Sequence, residues 1–243
     1  MKRIFAANWK LFKTPNQTRD FLNQFLPEAS NIDGEVVIFP QASSWEAASN
    51  LLKNNKISWG AQNTYFEAQG AFTGENSAQV LRELGGKYVL VGHSERRKIF
   101  CENDELLAKK VNHVLSLGLV PMLCIGETLE ERERNKTNEV NERQLKSALQ
   151  GVNSSAPLVV AYEPVWAIGT GKVATPEQAE EAHQFIKKVL KNLGFTDTPV
   201  LYGGSVKPDN AQELLSRPGI DGFLVGGASL EPKSFLAICS VSK

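Results

Sequence analysis

Three side chains with different chemistry each stand just beyond a short apolar run. Lys10, in Asn8-Trp9-Lys10, is placed to point an ammonium toward negative charge, although a lone lysine reads equally well as a solvated one. His93, in Gly92-His93-Ser94-Glu95-Arg96-Arg97, sits between a strand end and a helix-like opening. A helix dipole there is expected to lower its pKa and keep the imidazole neutral, able to donate a hydrogen bond to a carbonyl oxygen. Glu163, followed at once by Pro164, is a candidate general base on a rigid mount, with a barrel-end salt bridge as the structural alternative. Apolar residues and then glycines follow it, which suits a lid over 164–174. Glycines recur in Gly203-Gly204-Ser205-Val206 and Gly226-Gly227-Ala228-Ser229. Such loops let backbone N–H groups approach a phosphate closely, and with Gly169 they are expected to converge on one anion position.

The elements that must hold these groups are legible as apolar or β-branched runs, each followed by an amphipathic stretch. The runs are Arg3–Ala7, Glu35–Phe39, Ile57–Ala61, Tyr88–Val91, Val120–Ile125, Leu158–Tyr162, Val200–Tyr202 and Gly222–Val225. Thr14-Pro15-Asn16-Gln17 and Thr175-Pro176-Glu177-Gln178 read as capping boxes with proline at the first helical position. Ser43-Ser44-Trp45-Glu46 reads as a third box, and Pro208 and Pro232 as further first-turn prolines. Strict alternation over 1–243, with no linker rich in Pro, Gly or Ser, predicts one domain of the α/β class. Its architecture is a closed, parallel, eight-stranded (β/α)8 barrel. An open doubly wound sheet would need its glycine loop after the first strand, where Asn8-Trp9-Lys10 stands instead. Gly169-x-Gly171-x-x-Ala174 fails as a dinucleotide fingerprint because it opens too far beyond its strand and lacks the later acidic residue.

The 243 residues carry 27 Lys+Arg and 27 Asp+Glu, so the formal net charge is zero. That balance argues against a sequence-blind nucleic-acid binder, which needs a basic excess. No apolar run reaches the ~18–20 residues of a membrane span, and no signal-peptide pattern is expected at the start. Three widely spaced cysteines (Cys101, Cys124, Cys239) suit neither a disulfide framework nor a zinc site, and point to the cytoplasm. His113 and His183 lie inside helical patterns and read as structural, with no metal-ligand spacing. The run Glu130 to Arg134 reads as a solvated helix face.

Taken together, Asn8-Trp9-Lys10, Gly92 to Arg97, Cys124-Ile125-Gly126-Glu127-Thr128, Tyr162 to Lys172, Tyr202 to Val206 and Gly226 to Leu230 resemble the triosephosphate isomerase family, in order and end to end. The resemblance implies a TIM barrel that interconverts dihydroxyacetone phosphate and D-glyceraldehyde 3-phosphate through an enediol(ate), with no cofactor or metal. The base, the neutral histidine and loop closure are properties of the family itself, carried over to these positions. It implies Glu163 as the base, His93 as the electrophile that shuttles protons, and Lys10 as the stabiliser of developing charge. Asn8 would orient the substrate, Glu95 would give electrostatic support, and Gly169, Ser205, Gly226 and Gly227 would hold the phosphate. The segment Gly70-Ala71-Phe72-Thr73-Gly74-Glu75 resembles the family's interdigitating loop, which implies a homodimer through 70–75 with Thr73 at the contact.

Two segments depart from the family pattern. Leu11-Phe12 stands where Met-Asn is common, near the expected dimer contact, and Cys101 stands where glycine is common. Another sugar-phosphate barrel enzyme, an epimerase or aldolase, is the alternative, with a non-catalytic homologue as the third reading. An aldolase needs a Schiff-base lysine deep in the barrel, and only Lys10 stands at a strand end. A non-catalytic homologue would have lost Glu163, His93 or Lys10, and all three are present.

Overall fold

The structure, a computed structural model, describes residues 3–168 and 174–241. Eight strands run β1 Ile4–Asn8, β2 Glu35–Phe39, β3 Ser58–Ala61, β4 Tyr88–Val91, β5 Val120–Ile125, β6 Val159–Tyr162, β7 Val200–Tyr202 and β8 Gly222–Val225. All neighbours pair in parallel, and β1 pairs with both β2 and β8, so the sheet closes on itself. The helices that return the chain are α1 Pro15–Ala29, α2 Trp45–Leu52, α3 Ala78–Glu83, α4 Ser94–Ile99 and α5 Asp104–Ser116. After them come α6 Leu129–Glu133, α7 Thr137–Ala148, α8 Pro176–Asn192, α9 Ala211–Ser216 and α10 Pro232–Cys239. The expected α/β class and closed (β/α)8 barrel are what is observed, with strand ends displaced by no more than a residue.

The strands bury both faces, which is why they read as nearly continuous apolar runs. Successive side chains still alternate. Ile4, Ala6, Val37, Phe39, Tyr88, Leu90, Met122, Cys124, Val159, Ala161, Leu201 and Leu224 form one cluster that fills the barrel. Phe5, Ala7, Val36, Ile38, Val89, Leu123, Val160, Tyr202 and Phe223 belong to a second cluster shared with the helices. On α1, Phe21 and Phe25 stack at 5.5 Å, Phe25 stacks on Phe235 of α10 at 5.4 Å, and Trp9 meets Phe21 edge-on at 4.8 Å. Each such buried side chain contributes about 1.5–3 kcal/mol relative to exposure.

Helix starts follow their caps. Thr14 and Thr175 make complete capping boxes with Gln17 and Gln178, and Pro232 occupies the first turn of α10. The box expected at Ser43 does not form. A 3-10 turn over Ala42–Ser44 precedes α2, whose N-cap is Ser44 with no side-chain cap bond. Pro208 lies in the turn leading into α9 rather than in its first helical turn. Glu130 and Arg134 do pair on an exposed face at 2.7 Å.

Candidate active site

Strand alternation carries directly into the site. Each of Asn8, Glu163, Gly203 and Gly226 stands two residues beyond an inward-facing residue, respectively Ala6, Ala161, Leu201 and Leu224. All four line a cavity of about 300 Å³ at the C-terminal mouth of the barrel, together with Lys10, His93, Ala167, Ile168, Gly204, Ser205, Lys207, Gly227 and Ala228. The residues singled out by sequence are thereby brought together, apart from three. Gly169 lies outside the described residues, as do 169–173 of the lid expected over 164–174. Glu95 reaches the site only through its neighbours. Thr73 is exposed in the 70–75 segment, away from this cavity.

Glu163 is buried, and both its carboxylate oxygens are engaged. Oε2 accepts the backbone N–H of Ser94 at 2.8 Å, and Oε1 lies 3.0 Å from His93 Nε2. Its own N–H donates to Ile125 at 2.7 Å, locking the end of β6 to β5. Two glycines make room for it. A Cβ on Gly203 would stand 3.0 Å from Glu163 Cγ, and one on Gly126 would collide with the Glu163 carbonyl.

His93 is the N-cap of α4, and its Nδ1 accepts the Glu95 N–H at 3.3 Å. That bond leaves Nε2 as the nitrogen facing Glu163. The expected lowering of its pKa is not what the structure gives. Burial pulls the imidazole toward its neutral form, but Glu163 and, more weakly, Glu95 outweigh it, so the pKa stands above its ordinary value. α4 has only six residues, which makes its dipole a minor influence beside a carboxylate in contact.

Lys10 adopts φ 48°, an uncommon conformation for a residue with a side chain. It is held there from both sides: its N–H donates to Asn8 Oδ1 at 3.0 Å, and Gln62 donates to its carbonyl at 2.8 Å. Its ammonium pairs with Glu95 Oε1 at 2.5 Å. Glu95 thus contacts Lys10 and, more weakly than Glu163, raises the pKa of His93.

Behind the site lies a buried network that sequence reading missed. Glu127 accepts from Tyr162 at 3.0 and 3.1 Å, from Trp166 Nε1 at 2.9 Å and from Arg132 at 3.1 Å. Burial and the Glu127 charge push the Tyr162 phenol well up, so it remains a donor. The chain leaving Glu163 is therefore tied to β5 before it reaches the cavity rim at Ala167 and Ile168. Only the adjacency of Glu127 to Gly126 hinted at this, because its partners lie up to 39 residues away. Among the described residues, no group of three or more His, Cys, Asp or Glu gathers to hold a metal ion. No described helix is long and apolar enough to cross a membrane.

A buried carboxylate against an imidazole, with an ammonium and glycine-lined backbone across one small cavity, can exchange protons with an anionic ligand. That arrangement defines the acid–base class of (β/α)8 barrels. The family model described as triosephosphate isomerase matches residues 3–242. A triosephosphate isomerase of Bdellovibrio bacteriovorus is 64% identical over 241 residues, covering 99% of this chain and all of that protein. Those of Citrifermentans bemidjiense and Aquifex aeolicus are 48% and 47% identical, with at least 98% of each chain covered. The chain belongs to the triosephosphate isomerase family.

Proposed function

We propose that this chain interconverts dihydroxyacetone phosphate and D-glyceraldehyde 3-phosphate by proton transfer through an enediol(ate). The observation that carries the reading is the meeting, in one cavity of about 300 Å³, of Glu163, His93 and Lys10 with the glycine loops after β7 and β8. The phosphate sits on the backbone N–H groups of Gly226, Gly227 and Ser205, with Gly169 as a further donor. Gly227 leaves its Cβ position open, so backbone can approach an anion closely.

With the phosphate fixed there, Glu163 leaves Ser94 and takes the proton from the carbon beside the carbonyl. The C–H electron pair forms the carbon–carbon double bond, and the carbonyl electrons move onto oxygen. Lys10 stabilises that oxygen, Asn8 orients the substrate, and His93 donates from Nε2 and shuttles protons between the two oxygens. Glu163 then returns its proton to the neighbouring carbon. A positioned base supplies about 10²–10⁴ and a preorganised donor about 10²–10³, so the groups together account for a large acceleration. A lid over 164–174 excludes water, which keeps the enediolate from losing its phosphate.

The active form is a homodimer through 70–75, with Thr73 at the contact. Leu11, Phe12, Ile99 and Phe100, exposed at 86, 56, 65 and 62%, are apolar surface of the kind a second copy covers. The cytoplasm is the expected location, supported by three unpaired cysteines. The test is turnover of D-glyceraldehyde 3-phosphate by the parent chain and Glu163→Ala with EDTA present. Rapid turnover, lost in the variant while inorganic phosphate still binds, is the expected result. Parallel loss of turnover and phosphate binding by a folded variant would remove Glu163 from the role of base.

A further inference from the structure

The ladder between β4 and β5 pairs Val91 with Leu123 and then stops. The next residues in register are Gly92 and Cys124, and the carbonyls of both accept from one side chain. That side chain is Arg97, on the same short helix that His93 caps. Its Nε donates to the Gly92 carbonyl at 2.9 Å and its Nη2 to the Cys124 carbonyl at 3.2 Å. The third nitrogen, Nη1, pairs with Asp104 of α5 at 2.6 Å, and Arg143 holds the other oxygen of that carboxylate.

Gly92 is shaped to this fork. It takes φ 75°, where the strand alternation of β4 breaks and His93 is turned into the cavity. A Cβ there would stand 2.8 Å from Leu107 Cδ1 and 3.1 Å from Arg97 Nη2. The far anchor of the fork leads to the base, since Cys124 pairs with Ala161 and Ile125 accepts the N–H of Glu163.

We propose that Arg97 is a positioning residue for proton transfer: its guanidinium bridges the ends of β4 and β5 and so fixes His93 relative to Glu163. The guanidinium offers its donors to the two carbonyls in one rigid plane, a fixed fork that the rotatable donors of an ammonium do not reproduce. Arg97 is absent from the cavity lining and acts only through Gly92 and Cys124. The inference rests on the isomerase reading for its kinetic consequence, but its geometric content can be read without turnover.

The experiment compares Arg97→Gln and Arg97→Lys with the parent chain. It follows kcat and KM for D-glyceraldehyde 3-phosphate, the Kd for inorganic phosphate, and the 15N shifts of the His93 imidazole. Misplacement on the scale of an ångström is expected to lower kcat by about 10–100-fold. KM and the phosphate Kd should stay within about threefold, because the anion loops belong to β7 and β8. The His93 resonances should move in both variants, and lysine should not rescue kcat. If Arg97→Gln does not fold, Arg97→Lys, which keeps the charge beside Asp104, gives the same reading. A folded variant with unchanged His93 resonances, kcat restored by lysine, or equal losses in kcat and phosphate affinity would overturn the proposal. Absence of turnover in the parent would instead strike the isomerase reading, and the His93 shifts would still decide this one.

Discussion

Glu163 Oε1 lies 3.0 Å from His93 Nε2, and this contact raises the pKa of the imidazole. Burial favours neutral His93, while the Glu163 carboxylate is the largest influence in the other direction. When that carboxylate moves away, its influence leaves with it and the His93 pKa falls. Removing the charge in Glu163→Gln is therefore expected to lower the His93 pKa, read by NMR titration of the imidazole. In the free parent chain the raised pKa means that stability from this pair is fully present below the unfolded value and lost as pH rises through the folded one. An unchanged or higher His93 pKa in the variant would contradict the coupling.

Gly203→Ala tests how closely the Glu163 carboxylate is fitted. Its Cβ would stand 3.0 Å from Glu163 Cγ and 3.1 Å from the Tyr162 carbonyl, so the carboxylate must shift. A fall of about 10–100-fold in kcat is expected from steady-state kinetics, with the fold retained by circular dichroism. Parent-like kcat would show that the base tolerates displacement.

His183 makes a separate prediction about pH. It is wholly buried, its Nδ1 lies 3.1 Å from the Gly219 carbonyl, its Nε2 has no partner, and burial holds its pKa down at about 4. A depressed folded pKa contributes stability above the unfolded value of about 6.5 that is lost as pH falls through the folded one. Stability should thus decline by up to about 3 kcal/mol between pH 6.5 and 4 on this account, and His183→Gln should flatten that decline. Urea unfolding at several pH values gives the measurement, and parallel profiles for parent and variant would exclude His183 as the cause.

Most of the barrel was legible because each strand buries both faces and so declares itself as a short apolar run. Two helix starts were equally plain, since Thr14 and Thr175 satisfy their boxes with residues three positions on. Ser43 carried the same letters, but a 3-10 turn moves the cap to Ser44. The side chains that meet in the cavity could be located from strand ends and spacing. Their electrostatics could not, because the carboxylate that shifts His93 lies 70 positions away in the chain. Separation in the chain also hid Glu127 and Arg97, whose partners on other strands, up to 39 and 27 positions away, are assembled only when β4, β5 and β6 lie side by side.

Thr73→Arg addresses assembly. The 70–75 segment is exposed, and it lies within a longer loop closed by the Tyr65 N–H donating to the Asn76 carbonyl at 2.9 Å. A dimer at micromolar concentration is expected for the parent, with the variant shifted toward monomer in light scattering. A monomeric parent, or a variant that remains dimeric, would place the contact elsewhere.

The most direct measurement is isomerisation of dihydroxyacetone phosphate in deuterium oxide, with the product examined by NMR. If Glu163 carries a proton between adjacent carbons and exchanges it with solvent, the product aldehyde acquires deuterium at the carbon next to its carbonyl. The parent chain should show this, and Glu163→Gln should show neither product nor label. Labelled product forming at parent rates in Glu163→Gln would contradict the assignment of the base.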